Sequence, residues 1–404
     1  MAVNTTPTIS YPSSFEHLSD YDEACRVIAA ARCQSPIAIG SSGPELLTYE
    51  LVRTVLRDPR FVTALGVGLD LQGVTSGPLR DRMVTNILNL NGGAHDRIRR
   101  LVSKAFAPRG AERIRSLAVE LITELVDPLI HVGRCDVVSD IARPYPPPIV
   151  CTLLGIPPAD WPLITAWGDN MTKQFDGNLV EDGPSILAAW DQLDAYIEDV
   201  IASRRESLTG DVISDLIRAE DADDRLTHDE LLALAAILLG AGTETTRNQL
   251  AAAIQVLADH PDQWALVAQH PELAANAVNE LMRYCSTVFA TPRMSIENVE
   301  LGGFSIPAGT MVLANIGAAN RDPAVYRDPE LLDITRENAP SMLALGGGAH
   351  YCLGAHVARV ELTEALRVIT ARMPNPHPTE PAVWKAVPGI IDPISVPLEF
   401  DLCG

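Results

Sequence analysis

One segment of the sequence predicts a helix long enough to cross a whole domain. It opens at Thr227–Glu230, where a threonine stands three residues before a glutamate, the arrangement of a capping box. Leucines and alanines continue the helical pattern to about Asp259, just before His260-Pro261. At 1.5 Å per residue, roughly 30 residues would span about 45 Å, the width of a domain of this size.

The rest of the chain is also mainly helical in pattern, and strand signals are sparse. The best strand signals lie between Val299 and Ala314, so we predict a mainly α fold with a minor β-sheet region. No Gly/Ser run, charge block or repeat marks a linker, so the 404 residues should form a single large domain with a loosely ordered segment at 1–17. Glycine-rich residues 62–93 predict a long loop. The helical patterns cover residues 18–32, 48–57, 95–106, 110–131, 160–175, 183–206 and 353–373, and a further helix resumes after the prolines of 143–148 and runs through Leu154.

Composition excludes several classes of protein. The net charge is −21, which argues against nucleic acid and anionic membrane surfaces as partners. The first residues, Met1 to Phe15, lack the pattern of a signal peptide or membrane anchor, so we expect a soluble, cytoplasmic protein. We also expect a monomer. Seven scattered cysteines without a CxxC indicate neither a disulfide framework nor a structural zinc site.

The middle of the long helix carries residues that suit a helix poorly. Ala241–Thr246 contains glycine, three threonines and Glu244, an acid that is costly to bury in so apolar a run. The Thr245 hydroxyl can bond to the carbonyl of Ala241 and bend the helix. The result would be an opened helix whose wall could hold water and pass protons. A kinked core helix with a solvated Glu244 is the alternative.

A glycine-rich loop, Leu345–Gly354, delivers Cys352 to the start of a helix. Glycines let the backbone approach a flat ligand closely. A sulfur at a helix N-terminus faces unpaired N–H groups, which favours the thiolate. Such a thiolate is a plausible axial ligand for haem iron. A buried cysteine after a turn is the alternative.

These segments resemble the cytochromes P450. Gly348, His350, Cys352 and Gly354 match the haem-binding loop of that family, in which Leu345 stands in place of the usual phenylalanine. Ala241–Thr245 resembles the oxygen-binding groove of the family's long I helix. Glu280 and Arg283 match a buried structural ion pair of the family's K helix, with Arg336 as the third member of the network. The resemblance, to the bacterial, soluble, ferredoxin-dependent type, implies the cytochrome P450 fold.

The resemblance also implies the cofactor and its contacts. Haem b would be bound through its iron by Cys352. Its propionates need cationic or hydrogen-bonding partners. Four residues stand where the family supplies them, and four others would contact the cofactor; the two sets are His95, Arg99, Arg293 and His350, and Ala241, Leu345, Gly346 and Gly354.

The implied function is a haem-thiolate monooxygenase that inserts one oxygen atom of O2 into a hydrophobic small molecule such as a terpenoid, steroid, polyketide or fatty acid. Thr245 and Glu244 would supply protons. No nucleotide-binding fingerprint is present, so electrons would pass from NAD(P)H through a reductase and a ferredoxin. The ferredoxin would dock on a basic cluster formed by Arg97, Arg100, Lys104, Arg109 and Arg113, and the substrate would contact Leu238, Ala241, Val288, Phe289, Ile390 and Ile391.

Two alternatives belong to other classes. A peroxide-driven or non-oxygenating haem-thiolate enzyme would need no proton relay, and the Glu244-Thr245 pair speaks against it. A haem-binding sensor would need no open, apolar chamber beside the haem. Turnover with ferredoxin, its reductase and a nicotinamide donor would separate all three.

Overall fold

The computed structural model describes residues 21–402, apart from 41–42, 65, 67–68, 71, 176–177, 222–225, 338–339 and 386–388. The segment 1–17, predicted to be loosely ordered, lies outside these residues. Helices account for 58% of the structure and strands for 12%, which confirms the predicted mainly α fold with a minor sheet region.

Fifteen α-helices are described here in chain order. They are α1 Tyr21–Gln34, α2 Tyr49–Val55, α3 Pro78–Thr85, α4 Gly92–Val102, α5 Pro108–Glu112, α6 Arg115–Val126, α7 Pro146–Leu154, α8 Trp161–Met171, α9 Leu179–Glu206, α10 Val212–Glu220, α11 His228–Ala258, α12 Pro261–Gln269, α13 Ala274–Tyr284, α14 Ile316–Asn320 and α15 Ala355–Arg372. A π-helix, Val137–Ala142, precedes α7, and short 3-10 turns lie at Leu129–His131, Pro158–Asp160, Thr172–Phe175, Pro271–Leu273 and Gly348–His350.

The strands are short and form four small sheets. The largest sheet has the order β1-β2-β8-β5-β3, in which β2 and β8 are parallel and the other neighbours are antiparallel. Three smaller sheets pair β10 with β11, β4 and β9 with β12, and β6 with β7. The strands are β1 Ile37–Gly40, β2 Gly43–Leu46, β3 Phe61–Thr63, β4 Arg134–Asp136, β5 Ala290–Ser295, β6 Val299–Leu301, β7 Phe304–Ile306, β8 Met311–Asn315, β9 His377–Pro378, β10 Val383–Lys385, β11 Asp392–Ser395 and β12 Pro397–Glu399.

Helix α11 is the centre of the main core. It has 31 residues and begins with the predicted capping box, in which Thr227 and Glu230 bond to each other's backbone N–H groups. Helices α7, α8, α9 and α15 and the π-helix all pack against it. A second core lies between the largest sheet and α2. No helix in the described part of the chain combines the length and hydrophobicity that a membrane span needs.

Several predicted boundaries were wrong for identifiable reasons. Within the predicted loop 62–93, Pro78 starts helix α3, because proline suits the first turn of a helix. Proline likewise opens α7 at Pro146, inside the proline-rich run that was expected to precede the helix. The predicted helix 110–131 is broken into α5, α6 and a 3-10 turn. Helix α15 starts three residues after Cys352, with Gly354 as its N-cap.

Candidate functional site

The loop that carries Cys352 is held in shape by its own backbone and by helix α2. The Cys352 N–H donates to the carbonyl of Leu345 at 2.8 Å, which closes the loop. Gly346 and Gly348 have φ of +73° and +65°, values that favour glycine. A methyl group at Gly348 would lie 2.4 Å from the carbonyl oxygen of Leu56, so the loop is pressed against the end of α2.

The surroundings of the Cys352 thiol shift its pKa in opposite directions. Burial raises its pKa, while the Gly354 N–H and the guanidinium groups of Arg99 and Arg359 lower it. The N–H of Gly354, the N-cap of α15, acts in the direction that the sequence predicts for a helix N-terminus, and burial acts against it. Binding to a metal cation deprotonates such a thiol outright. The Leu345 side chain is buried.

His95, Arg99, Arg293 and His350 converge beside this loop. The rings of His95 and His350 are 4.3 Å apart. Arg99 donates from Nη2 to the carbonyl of Tyr351 at 2.5 Å, which ties α4 to the cysteine loop. The pKa of His350 falls to about 4, chiefly through burial and then through the charges of His95, Arg293 and Arg99. The four residues therefore lie in one cluster, whose positive charge comes from Arg99 and Arg293.

The two arginines of this cluster have no carboxylate ion-pair partner among the described residues, whereas His95 contacts Asp96. Arg293 on β5 is only 7% exposed, and burial lowers its pKa to about 10. It donates to Thr291 Oγ1 at 2.9 Å and to the Pro292 carbonyl at 2.8 Å, both neutral acceptors. No carboxylate of the described residues forms an ion pair with it. Since a buried cation needs a counter-charge, the residues fit the carboxylates of a haem.

One face of α11 is open although the helix lies in the core. Ala241 and Thr245 are exposed and Leu238 is half-buried, and these positions share one helix face. Thr245 donates from Oγ1 to the Ala241 carbonyl at 2.8 Å, as its sequence spacing predicted. The helix is continuous from His228 to Ala258 despite this bond. The open face borders a space in which a ligand can lie against a hydroxyl and small apolar side chains.

Glu244 points away from this open face. It is 7% exposed, and a methyl group at Gly168 of α8 would lie 3.4 Å from Glu244 Oε1. The alternative of a solvated Glu244 is therefore wrong, and burial raises the pKa of this carboxyl to about 7. Its Oε2 lies within ion-pair distance of Arg247, yet neither carboxylate oxygen accepts a well-aligned hydrogen bond from the residues that the structure describes.

The sequence argument missed several charged residues around α11. Arg247 lies 3.4 Å from Asp169 and 3.3 Å from Asp392, measured from guanidinium nitrogen to carboxylate oxygen. On α15, Glu361 is fully buried, and burial raises its pKa to about 8 while Thr246 opposes that rise. The polar run Thr246-Arg247 within an apolar helix was the sequence feature that could have indicated these contacts.

Glu280, Arg283 and Arg336 meet in one buried network. Arg283 Nη2 lies 2.7 Å from Glu280 Oε1, and Arg336 Nε lies 3.1 Å from the same oxygen. Glu280 and Arg283 are 4% and 2% exposed. Arg283 also donates to the carbonyls of Asn320 and Pro329. The network joins α13 to the segment before the cysteine loop.

The residues assigned to a substrate pocket divide into two sets. Val288 and Ile390 are partly buried and form an isolated bridge outside the strands, while Leu238 and Ala241 lie on the open face of α11. Phe289 points the other way, because neighbouring residues of an extended chain face opposite sides. Its ring is fully buried 5.7 Å from that of Tyr21, in a cluster against which Ile391 also packs. The structure thus gives no support to Phe289 as a pocket residue.

The basic cluster predicted on α4 and α5 is smaller than expected. Arg97 forms an ion pair with Glu230 at the start of α11. The other four residues are exposed, and none has an ion-pair partner among the described residues. We call them the basic patch, and they are Arg100, Lys104, Arg109 and Arg113.

The fold and sequence of this chain match a known family. The family model for cytochrome P450 matches residues 169–370. Luteothin monooxygenase of Streptomyces thioluteus is 34% identical over 92% of this chain and 92% of its own length. Mycinamicin IV hydroxylase/epoxidase of Micromonospora griseorubida is 40% identical over 81% of each.

Solved structures agree with these sequence matches. The crystal structure of CalO2 superposes with a TM-score of 0.89 at 29% identity, over 96% of this chain and 98% of that one. Epothilone D-bound cytochrome P450epoK gives 0.86 at 27% identity, over 96% and 98%. The fold is that of a cytochrome P450, and the chain belongs to the cytochrome P450 family. It is a monooxygenase, an oxidoreductase that incorporates oxygen from O2.

Proposed function

We propose that this monooxygenase holds haem b through Cys352, draws electrons from a ferredoxin and oxidises a polyketide-type small molecule. The observation that carries the proposal is that Arg99 and Arg293 have no carboxylate ion-pair partner among the described residues and lie with His95 and His350 next to the cysteine loop. A ligand with a thiolate-binding metal and two carboxylates fits that arrangement. When bound, the haem supplies the iron at which O2 is activated.

The chain itself supplies proton handling. The Thr245 hydroxyl donates its one hydrogen to the Ala241 carbonyl, so its free lone pairs can accept a hydrogen bond from a water. That water would be held on the open face of α11 with its second hydrogen available. Glu244, with a pKa raised to about 7, would take protons from outside and pass them toward this water through further waters, because its carboxyl faces α8.

The basic patch is the proposed docking surface for a ferredoxin. In a chain with net charge −21, an acidic partner must be attracted locally rather than by the whole protein. The patch continues from α4, the helix that Arg99 ties to the cysteine loop. An electron arriving there would enter close to Cys352.

Charge reversal of this patch tests the docking. Arg100→Glu with Lys104→Glu should raise the KM for ferredoxin and flatten its dependence on salt, with the haem spectrum unchanged. Arg134→Glu is the matched control, because Arg134 is exposed on β4, which packs against neither α4 nor α5. An equal effect of the control, or none from the double variant, would show that ferredoxin docks elsewhere.

The proposed substrate class follows from the site and from the relatives. The open face of α11 offers Leu238 and Ala241, and the bridged pair of Val288 and Ile390 is also apolar and only partly buried. One relative is named for hydroxylation and epoxidation of mycinamicin IV, and one structural neighbour holds epothilone D. We therefore place macrolides and other polyketides first, ahead of terpenoids, steroids and fatty acids.

A binding panel followed by turnover tests the substrate class. Each compound is titrated into the ferric enzyme, and the low-spin to high-spin change of the haem spectrum gives its dissociation constant. Macrolides should bind most tightly and give an oxygenated product with ferredoxin, its reductase and a nicotinamide donor. Tighter binding and better turnover of a fatty acid or steroid would contradict the assignment. Full turnover with peroxide alone would contradict the electron route.

A further inference from the structure

A single buried guanidinium in this protein meets three carboxylates that come from three different elements. Arg247 on α11 is 7% exposed, and its Nη2 pairs with Glu244 one turn earlier on the same helix. Asp169 of α8 lies 3.4 Å from its Nη1, and Asp392 of β11 lies 3.3 Å from its Nη2. Arg247 therefore joins the acid beside the open face of α11 to two elements that pack around that helix.

The five charged side chains of this group are neutral overall when one of the three carboxylates carries a proton. Arg143, at the end of the π-helix, pairs with Asp169 from the outer side, so two guanidiniums face three carboxylates. With all three carboxylates ionised, the group carries one negative charge in excess. With a proton on Glu244, it is neutral. Asp169 and Asp392 have side chains 36% and 27% exposed, whereas Glu244 has 10%, so the exchangeable proton belongs on Glu244.

We propose that Arg247 is a positioning residue that holds the Glu244 carboxyl and sets how readily it takes up and releases a proton for the reaction. This inference rests on the proposed function, in which Glu244 supplies protons to the water held by Thr245. Arg247 touches no reacting atom and acts through Glu244 alone. The guanidinium also keeps that carboxyl on the α8 side of the helix.

The sign of each effect on Glu244 follows from the charges that face it. Burial raises the pKa of Glu244, Arg247 and Arg143 lower it, and Asp169 and Asp392 raise it. Arg247→Gln should therefore raise the pKa of Glu244 further. Asp169→Asn and Asp392→Asn should lower it, because each removes a negative neighbour. Opposite shifts from neighbouring substitutions are not expected of a merely structural cluster.

The first test follows the Glu244 carboxyl directly, in the resting ferric enzyme without turnover. Glu244→Gln identifies the infrared band of the protonated carboxyl by its loss, and that band is then titrated against pH. Arg247→Gln should move the midpoint about one to three pH units higher, the usual effect of an opposite charge at this range. Asp169→Asn should move it lower, and Arg247→Lys should restore most of the wild-type midpoint.

The second test follows product formed per nicotinamide oxidised across the same pH range. If protonated Glu244 is the donor, this ratio falls as the pH rises through the midpoint of the Glu244 titration. The fall should occur at higher pH in Arg247→Gln and at lower pH in Asp169→Asn. Arg218→Gln is the control. It removes an arginine from an exposed ion pair with Asp215 on α10, and it should change neither the infrared midpoint nor the product ratio.

The outcomes separate the two proposals. An infrared midpoint that stays in place in Arg247→Gln and in Asp169→Asn overturns the role of Arg247. A midpoint that moves as stated while the product ratio ignores it supports the effect of Arg247 on Glu244 and refutes Glu244 as the proton donor. Should Arg247→Gln not fold, Asp169→Asn and Asp392→Asn decide the matter, because both acids are partly exposed.

Discussion

Two buried charge clusters of this protein are built from the same residue types and reach opposite results. In the first, Glu280 lies between Arg283 and Arg336, and the remaining guanidinium N–H groups donate to backbone carbonyls. In the second, Glu244 pairs with Arg247 while accepting no aligned hydrogen bond, and two more carboxylates compete for the same cation. A fully satisfied cluster fixes structure, whereas one with an unsatisfied acid is suited to exchanging a proton.

In the proposed function both clusters serve a haem held by Cys352, so removing that sulfur should have the largest effect. Cys352→Ser should abolish the thiolate-type spectrum of the reduced carbon monoxide complex. None of the other described cysteines follows a glycine-rich loop and precedes a helix. Retention of that spectrum in the variant would mean that another residue binds the iron.

Thr245→Ala sharpens the comparison on the proton-handling side. The variant should fold and bind haem and substrate, but the step that needs a proton should slow by ~10²–10⁴. Product formed per nicotinamide oxidised is the measurement, and nicotinamide consumption should fall much less than product.

Thr243→Ala is its matched control, because Thr243 makes the same helix bond, from Oγ1 to the Leu239 carbonyl at 2.6 Å, from a buried position. If both variants keep the wild-type ratio, Thr245 serves only the helix backbone.

Arg283→Ala tests the other side, the cluster assigned to structure. Removing one partner of a buried ion pair leaves Glu280 with an uncompensated charge, which costs about 3–5 kcal/mol of unfolding free energy. Urea unfolding followed by circular dichroism gives that value. Arg218→Ala breaks an exposed pair and should cost no more than about 1 kcal/mol. A similar small loss in Arg283→Ala would remove the distinction between the two clusters.

The pH dependence of the free energy of unfolding distinguishes the cluster around Glu244 from the cluster around Glu280. The pKa of Glu244 rises from 4.5 to about 7 on folding, so the unfolded chain loses its proton first as pH increases. Wild type should therefore lose stability as pH rises from about 4.5 through about 7, by at most about 3 kcal/mol. Glu244→Gln should lack this part of the loss when unfolding is measured at several pH values. Parallel pH curves for the two proteins would show that Glu244 stays ionised.

The smallest effect concerns the cysteine loop, which carries neither cluster. Leu345→Phe restores the aromatic residue usual in the family and should be tolerated, at about 1–3 kcal/mol for the added buried volume. Its backbone carbonyl already binds the Cys352 N–H, so packing near the sulfur changes while that bond stays. A spectroelectrochemical titration should show a shifted haem reduction potential. An unchanged potential would place the Leu345 side chain too far from the sulfur to matter.

What the sequence could predict follows from how far apart the partners lie along the chain. The capping box of Thr227, the Thr245 bond to Ala241 and the Glu280–Arg283 pair each join residues three or four apart, where helix geometry alone brings them together. Arg247 and Asp392 lie 145 residues apart, and no local pattern could pair them.

Local sequence patterns also could not predict which charged residues are buried or which side of a short extended segment faces the interior. A lone glutamate such as Glu361 is typical of a helix surface, and only the packing of α15 against α11 shows that it is buried. The short extended segment at Phe289 carries too little alternation to show which side is interior, so the sequence predicts a pocket position for Phe289 that its buried cluster does not support.

The tight contact between Gly348 and the Leu56 carbonyl has a consequence for how the protein is made. The last loop of the cofactor site is shaped against a helix that leaves the ribosome almost 300 residues earlier, and Arg99 adds a second tie from an early segment. The site can therefore be completed only after the cysteine loop itself has left the ribosome. Nascent chains stalled before the cysteine loop should not capture haem, and those stalled far enough beyond α15 for it to emerge should, which makes cofactor loading a check that these distant segments have folded together.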